Sequence, residues 1–157
     1  MSNFFLEKSV RSRVTAVVPD TDIERFFYLL GKSLPDNDKP LVAVMGLGVP
    51  SDFQTGAEDQ GYEKGVMSFG GTLATTYSDP ESDKKRANVV VYLVDGSVPF
   101  YHFTKVVMRM LDPEDSRVLI VKQPGLYTEH RKSAVEDDWK RLVDLPHTMV
   151  KEQSWVI

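Results

Sequence analysis

The chain has 157 residues, of which 41% are hydrophobic and 27% charged, and its net charge is −4. This composition is that of one globular domain and excludes an intrinsically disordered chain. The acidic balance disfavours a nucleic-acid binder, which normally presents a basic face, and the lack of cysteine excludes disulfides and thiolate metal ligands.

Nothing in the chain resembles a membrane or export segment. No stretch reaches the roughly 18 apolar residues of a membrane span. The apolar run at residues 4–6 is too short for the core of a signal peptide. We therefore expect a soluble, cytoplasmic protein without a membrane span.

The first elements in the chain are a strand, a helix and a second strand. The β-branched run at 14–18 predicts a strand that ends at Pro19. A capping box at 21–24, followed by apolar residues at helical spacing, predicts a helix over 21–34. The continuous apolar run Leu41–Met45 predicts a strand buried on both faces.

The rest of the chain continues the alternation of strands and helices. Residues 66–77 predict one bent strand, interrupted by a glycine pair, and 88–94 predict a central strand. Proline in its first turn supports a helix that begins at Ser97. A strand at 118–121, a short helix beginning at Ser133 and a last strand within 148–157 follow.

This order predicts a single layered α/β domain over residues 1–157, in which residues 1–12 can form a flexible N-terminal arm. We expect a mixed β-sheet of about five or six strands with about three helices.

The loop that follows Leu41–Met45 is the first candidate site. Gly46 and Gly48 match the start of a dinucleotide-binding G-x-G-x-x-G motif, but Ser51 occupies the third glycine position. No apolar stripe continues after Ser51, so we expect residues 46–63 to be an irregular loop that lacks an anion-binding helix N-terminus. A long loop after a strand is still the leading candidate for a functional surface.

Other residues offer only parts of a catalytic site. Asp95 ends the central strand, where α/β enzymes often place carboxylates, and Lys122 lies near the end of the next strand. His102 lies in one H-x-T motif, whereas two-histidine phosphoesterases need two. The acidic residues at 79, 81 and 83 lack the glycine and glutamate of a calcium loop. We therefore expect no metal, no cofactor and no complete catalytic group.

Two hypotheses remain open. The first is a non-catalytic protein-binding module, either an assembly or adaptor subunit or a self-associating one. Its contacts would come from the long loop and the apolar C-terminus, through Phe53, Gln54, Trp155, Val156 and Ile157. The second is a small phosphate-ligand-binding protein or hydrolase. Its site would use Gly46, Gly48, Ser51, Asp95 and His102.

Overall fold

A computed structural model describes residue 5 and residues 12–46, 48–69, 71–94, 109–122 and 149–154. These residues form one seven-stranded mixed sheet with two α-helices packed on it. The strands are β1 (Ser12–Val17), β2 (Val42–Met45), β3 (Glu63–Phe69), β4 (Thr72–Ser78), β5 (Val89–Val94), β6 (Arg117–Lys122) and β7 (Met149–Ser154). The helices are α1 (Ile23–Lys32) and α2 (Asp52–Asp59).

The strand order across the sheet is β3-β4-β2-β5-β6-β1-β7. Strands β2, β5, β6, β1 and β7 are parallel, whereas β4 runs antiparallel to both β2 and β3. The predicted α/β domain with a mixed sheet is therefore confirmed. The order leaves β3 and β7 as the two edge strands of the described sheet.

The sheet has more strands than predicted because residues 66–77 are not one bent strand. They belong to two antiparallel strands, β3 and β4, which pair from Glu63 opposite Ser78 to Phe69 opposite Thr72. Only Gly70 and Gly71 lie between the strands, and Gly71 has φ of +87°. A glycine pair suits a two-residue hairpin turn, which requires positive φ.

The predicted helix over 21–34 is α1, but it starts without the predicted capping box. A 3-10 turn at Asp20–Asp22 precedes the helix, and the cap residue Asp22 makes no side-chain hydrogen bond to the helix. Residues 109 and 110 are helical, and the rest of the helix predicted from Ser97 lies outside the described residues. The short helix predicted from Ser133 also lies outside them.

The central strands of the sheet are buried on both faces, as predicted for the run Leu41–Met45. Helices α1 and α2 cover one side, here called the helix face, and residues 110 and 111 pack on the opposite face. Side chains of β2, β5 and β6 alternate between the two cores. In β5, for example, Val91 and Leu93 lie in the helix-face core while Val90 and Tyr92 lie in the other.

Phe5 is also part of the helix-face core. Its ring is buried, and its carbonyl oxygen accepts a hydrogen bond from Nη1 of the buried Arg117. Phe5 is therefore packed in the core, although it lies within the predicted N-terminal arm. No helix within the described residues is long and apolar enough to cross a membrane.

Candidate functional site

The glycine turn after β2 leads into a helix, which corrects the prediction of an irregular loop over 46–63. Helix α2 covers Asp52–Asp59, and Ser51 precedes it as the cap residue. The helix has a narrow buried stripe of Phe53, Gly56 and Ala57. Two of these three residues are too small to register as an apolar stripe in the sequence.

The two glycines of the turn differ in their surroundings. Gly46 has φ of +108°, and a Cβ atom there would lie 2.5 Å from the carbonyl oxygen of Leu93 in β5. Gly48 has φ of +86°, but a Cβ atom there would meet no heavy atom within 4 Å. The turn therefore lies against β5 at Gly46 and borders open space at Gly48.

The turn lies beside two neighbouring parallel strands, β2 and β5, and the described segments that follow them along the chain pack on opposite faces of the sheet, as at a topological switch point. The connection from β2 enters α2 on the helix face. Met110 and Leu111, which precede β6, pack on the opposite face. In open α/β sheets a crevice at such a switch point is the usual ligand site.

Only part of the predicted ligand set lies within the described residues. Gly46, Gly48 and Ser51 come together at the end of β2. Asp95 directly follows Val94, the last residue of β5, but Asp95 and His102 themselves lie outside the described residues. Lys122 ends β6 and is the register partner of Val94.

The first turn of α2 is poorly suited to an anion. The amide of Phe53 donates to the carbonyl of Pro50 at 3.2 Å, so this donor is already used. Asp52 also places a carboxylate in the first turn. Negative charge there competes with a phosphate for the positive end of the helix dipole.

Phe53 and Gln54, the two residues of this segment that were predicted to contact a partner, differ in burial. Phe53 is buried, and its ring makes edge contacts with Tyr77 at 5.0 Å and Phe27 at 6.2 Å between centroids. It therefore belongs to the core and is not available to a partner. Gln54 is half-buried and donates to Glu58 within the same helix at 2.6 Å. The other predicted contacts, Trp155, Val156 and Ile157, lie outside the described residues.

The β3–β4 hairpin carries an exposed apolar surface that the sequence pattern did not predict. Val66 is 64% exposed and Leu73 is 70% exposed. Together with Ser68 and Thr75, these two residues lie on the helix face of the sheet, the same side as Tyr77, where Phe53 of α2 contacts the hairpin. These four residues are here called the uncovered hairpin face. The alternation of this segment predicts strands, but it does not reveal where the covering helix ends.

In the described part of the chain the hairpin also forms one edge of the sheet, here called the free edge. Within the described residues β3 pairs only with β4. The charged residues of β3, Glu63 and Lys64, are at its start, and no charged residue follows before the turn. At the other edge, β7 carries Lys151 and Glu152 in its middle. Charges in the middle of an edge strand are a common protection against pairing with another chain, and β3 lacks them.

A group of polar side chains, Asp115, Ser116 and Arg117, lies at the other end of the parallel strands, where β6 begins. Arg117 is 1% exposed, and burial lowers the pKa of its guanidinium while Asp115, 3.4 Å away, raises it. Asp115 Oδ1, Ser116 Oγ and Arg117 Nε are buried without a hydrogen-bond partner among the described residues. Tyr62 packs near this group, and burial raises its pKa.

A cleft of about 260 Å³ lies beside this group. Its charged and polar lining consists of Asp38, Lys39, Asp79, Ser82, Lys84 and Asp115. Lys84 Nζ donates to the Lys39 carbonyl and to Asn88 Oδ1, and Asn88 in turn bonds the backbone of Leu41 and Asp115. These contacts tie the starts of neighbouring strands together. No three histidine, aspartate or glutamate side chains in the described part of the chain are grouped to hold a metal ion.

No protein-family model, curated protein or solved structure matches this chain. We therefore infer function from the geometry of the described residues.

Proposed function

We propose that this chain is a protein-binding α/β module, an assembly, adaptor or self-associating subunit rather than a catalyst. The observation that supports the proposal is the exposure of Val66 and Leu73 beside the free edge of β3. The binding surface then consists of the uncovered hairpin face and the outer edge of β3.

Covering these two apolar side chains with a partner stabilises the complex. Full burial of a valine or leucine side chain contributes about 1.5–3 kcal/mol. Single exposed apolar residues are common on protein surfaces and need no partner. Here, however, Val66 and Leu73 are diagonal neighbours across two paired strands, because Val66 is opposite Thr75 and Ser68 is opposite Leu73. The hairpin therefore offers a partner both an apolar contact and backbone hydrogen bonds.

Affinity capture with matched variants tests the proposal. The tagged wild-type chain and a Val66→Lys, Leu73→Lys double variant are each captured from the native source. Leu29→Lys is the control, because Leu29 is another exposed apolar side chain, at 43%, but lies on α1. We expect one stoichiometric protein, either another copy or a different chain, to be retained by wild type and control and lost from the double variant. Equal retention by all three would contradict the proposed surface.

A phosphate-binding function at the end of β2 is a second candidate. The observation that favours it is that α2 begins directly after the glycine turn, which removes the main sequence-based objection to such a site. The used amide of Phe53 and the carboxylate of Asp52 weigh against it. If this candidate is right, inorganic phosphate or Mg²⁺-ATP raises the melting temperature, and Asp95→Asn abolishes the rise while Asp79→Asn does not. An unchanged melting temperature with both ligands counts against it.

A further inference from the structure

We infer that the partner at the free edge of the sheet is a second copy of this chain, and this inference rests on the proposed protein-binding function. In this dimer, β3 of one copy pairs antiparallel with β3 of the other. The two-fold axis passes through Val66. The two sheets then become one continuous sheet across the dimer.

The hairpin geometry determines which backbone groups of β3 point outward. Phe69 and Thr72 flank a two-residue turn, so they form a hydrogen-bonded pair in the β3–β4 ladder. Hydrogen-bonded and non-hydrogen-bonded pairs alternate along antiparallel strands. Residues 63, 65, 67 and 69 therefore bond to β4, whereas the N–H and C=O groups of Lys64, Val66 and Ser68 point away from it. These outward groups are what a new strand would bond.

The sequence of β3 complements itself about Val66. An antiparallel copy centred there overlaps the full strand, Glu63–Phe69, and places Val66 opposite Val66 of the second copy. Lys64 then lies opposite Ser68 of the second copy. The three outward-facing residues of each strand pair with one another, which gives about six interchain hydrogen bonds.

The charges of the strand favour this register over the one centred on Lys64. Centred on Val66, the pairing places Glu63 opposite Phe69 and Lys64 opposite Ser68, so no like charges face each other. A pairing centred on Lys64 would set two lysines directly opposite each other, which is destabilising, and would overlap only the start of the strand. The register centred on Val66 is therefore the one that overlaps the whole of β3 and opposes no like charges.

Single-cysteine crosslinking tests this register, because the chain has no cysteine of its own. In the proposed dimer the Cα atoms of the two Val66 residues are about 5.5 Å apart, and those of the two Ser68 residues are about 14 Å apart. We expect a short bifunctional maleimide to crosslink Val66→Cys into a dimer and to leave Ser68→Cys largely monomeric. Equal crosslinking of both variants, or none of Val66→Cys, would overturn the proposed register.

Sedimentation velocity of the purified full chain gives a second readout that does not depend on a crosslink. The wild type is expected to sediment as a dimer. Val66→Pro removes an outward N–H that β4 does not use, and proline is tolerated at such an edge position, so this variant should fold and sediment as a monomer. Leu73→Lys lies one strand away from the seam and should remain dimeric.

The outcomes separate this inference from the proposed function. A monomeric wild-type chain would overturn the dimer, whereas the proposed function would still stand if a different protein were retained on the hairpin in the capture experiment. Loss of both self-association and capture would overturn both. A dimer that persists in Val66→Pro would overturn pairing through β3.

Discussion

Gly31 of α1 and Gly56 of α2 face each other where the two helices cross. A Cβ atom at Gly31 would lie 2.5 Å from the Phe53 carbonyl oxygen, and one at Gly56 would be as close to the Tyr28 carbonyl oxygen. No real Cβ contact is that short, so the backbones pack at a distance that only glycine allows. This contact holds α2 against α1 and so positions the turn between β2 and α2.

Replacing either glycine by alanine should destabilise the fold. Alanine favours a helix by about 1 kcal/mol over glycine. The added methyl group must push the two backbones apart, which typically costs about 1–3 kcal/mol. Because the clashing atoms are backbone atoms, which cannot move aside as a side chain can, the upper part of this cost applies, and we expect Gly56→Ala to lower the free energy of unfolding in urea by about 1–2 kcal/mol after the helix-propensity gain is subtracted. Gln54→Ala, on a more exposed side of α2, should stay within about 0.5 kcal/mol of wild type. A more stable Gly56→Ala would contradict the close helix crossing.

The glycine turn gives a second pair of matched variants. Gly46→Ala and Gly48→Ala both place alanine at positive φ, which costs about 1 kcal/mol or more. Only Gly46→Ala also forces a methyl group against the Leu93 carbonyl. We therefore expect a clearly larger loss of unfolding free energy for Gly46→Ala. Equal losses would show that the turn does not pack against β5.

The elements predicted correctly from the sequence are those with a strong periodic pattern. Helix α1 has a full apolar stripe, and β2 and β5 are continuous apolar runs. The residues that these patterns predict to be buried are the ones that the fold buries. Helix α2 escaped prediction because its packing depends on small residues, above all Gly56. A glycine in mid-helix suggests coil unless the opposing helix is known.

The candidate surfaces were less predictable for a similar reason. Phe53 has the sequence features of an exposed loop residue, and its contacts with Phe27 and with Tyr77, 24 positions later in the chain, make it part of the core. Val66 and Leu73 have the features of ordinary strand residues, and their exposure depends on how far α2 extends over the sheet. Such properties arise from long-range packing, which alternation and composition do not encode.

The buried guanidinium of Arg117 makes Asp115 important for stability. Removing one partner of an ion pair costs about 3 kcal/mol or more when both groups are buried, and less here, about 2 kcal/mol, because the Asp115 side chain is 27% exposed. We expect Asp115→Ala to lower the free energy of unfolding by about this amount at neutral pH. The adjacent Glu114 is exposed, so Glu114→Ala should change it by less than about 0.5 kcal/mol. Similar effects of the two variants in urea denaturation would argue against the buried pair.

The buried tyrosines should make the fold sensitive to alkaline pH. Burial raises the pKa of Tyr62 above its ordinary value of 10.0, and burial also raises the pKa of Tyr77, with a smaller contribution from Glu58. The unfolded chain releases these phenol protons near pH 10, whereas the folded chain holds them to higher pH. This stabilisation is therefore present below pH 10 and lost as pH rises above it.

Tyr62→Phe separates this effect from general alkaline denaturation. Its hydroxyl donates to the Pro35 carbonyl at 2.7 Å, so the variant should lose about 1 kcal/mol at pH 8. It should then lose less further stability than wild type between pH 9 and pH 11, as measured by urea denaturation at each pH. Parallel losses in both proteins would exclude Tyr62 as a source of the pH dependence.

Amide hydrogen exchange in β3 tests the role of this edge most directly. The Val66 amide points away from β4 and is protected only when a partner strand bonds it, whereas the Met67 amide bonds to β4 in every state. In the purified chain we predict that Val66 is protected at high protein concentration and exchanges rapidly on dilution, while Met67 stays protected throughout. Rapid exchange of Val66 at every concentration, with Met67 protected, would contradict pairing of this edge with a second copy.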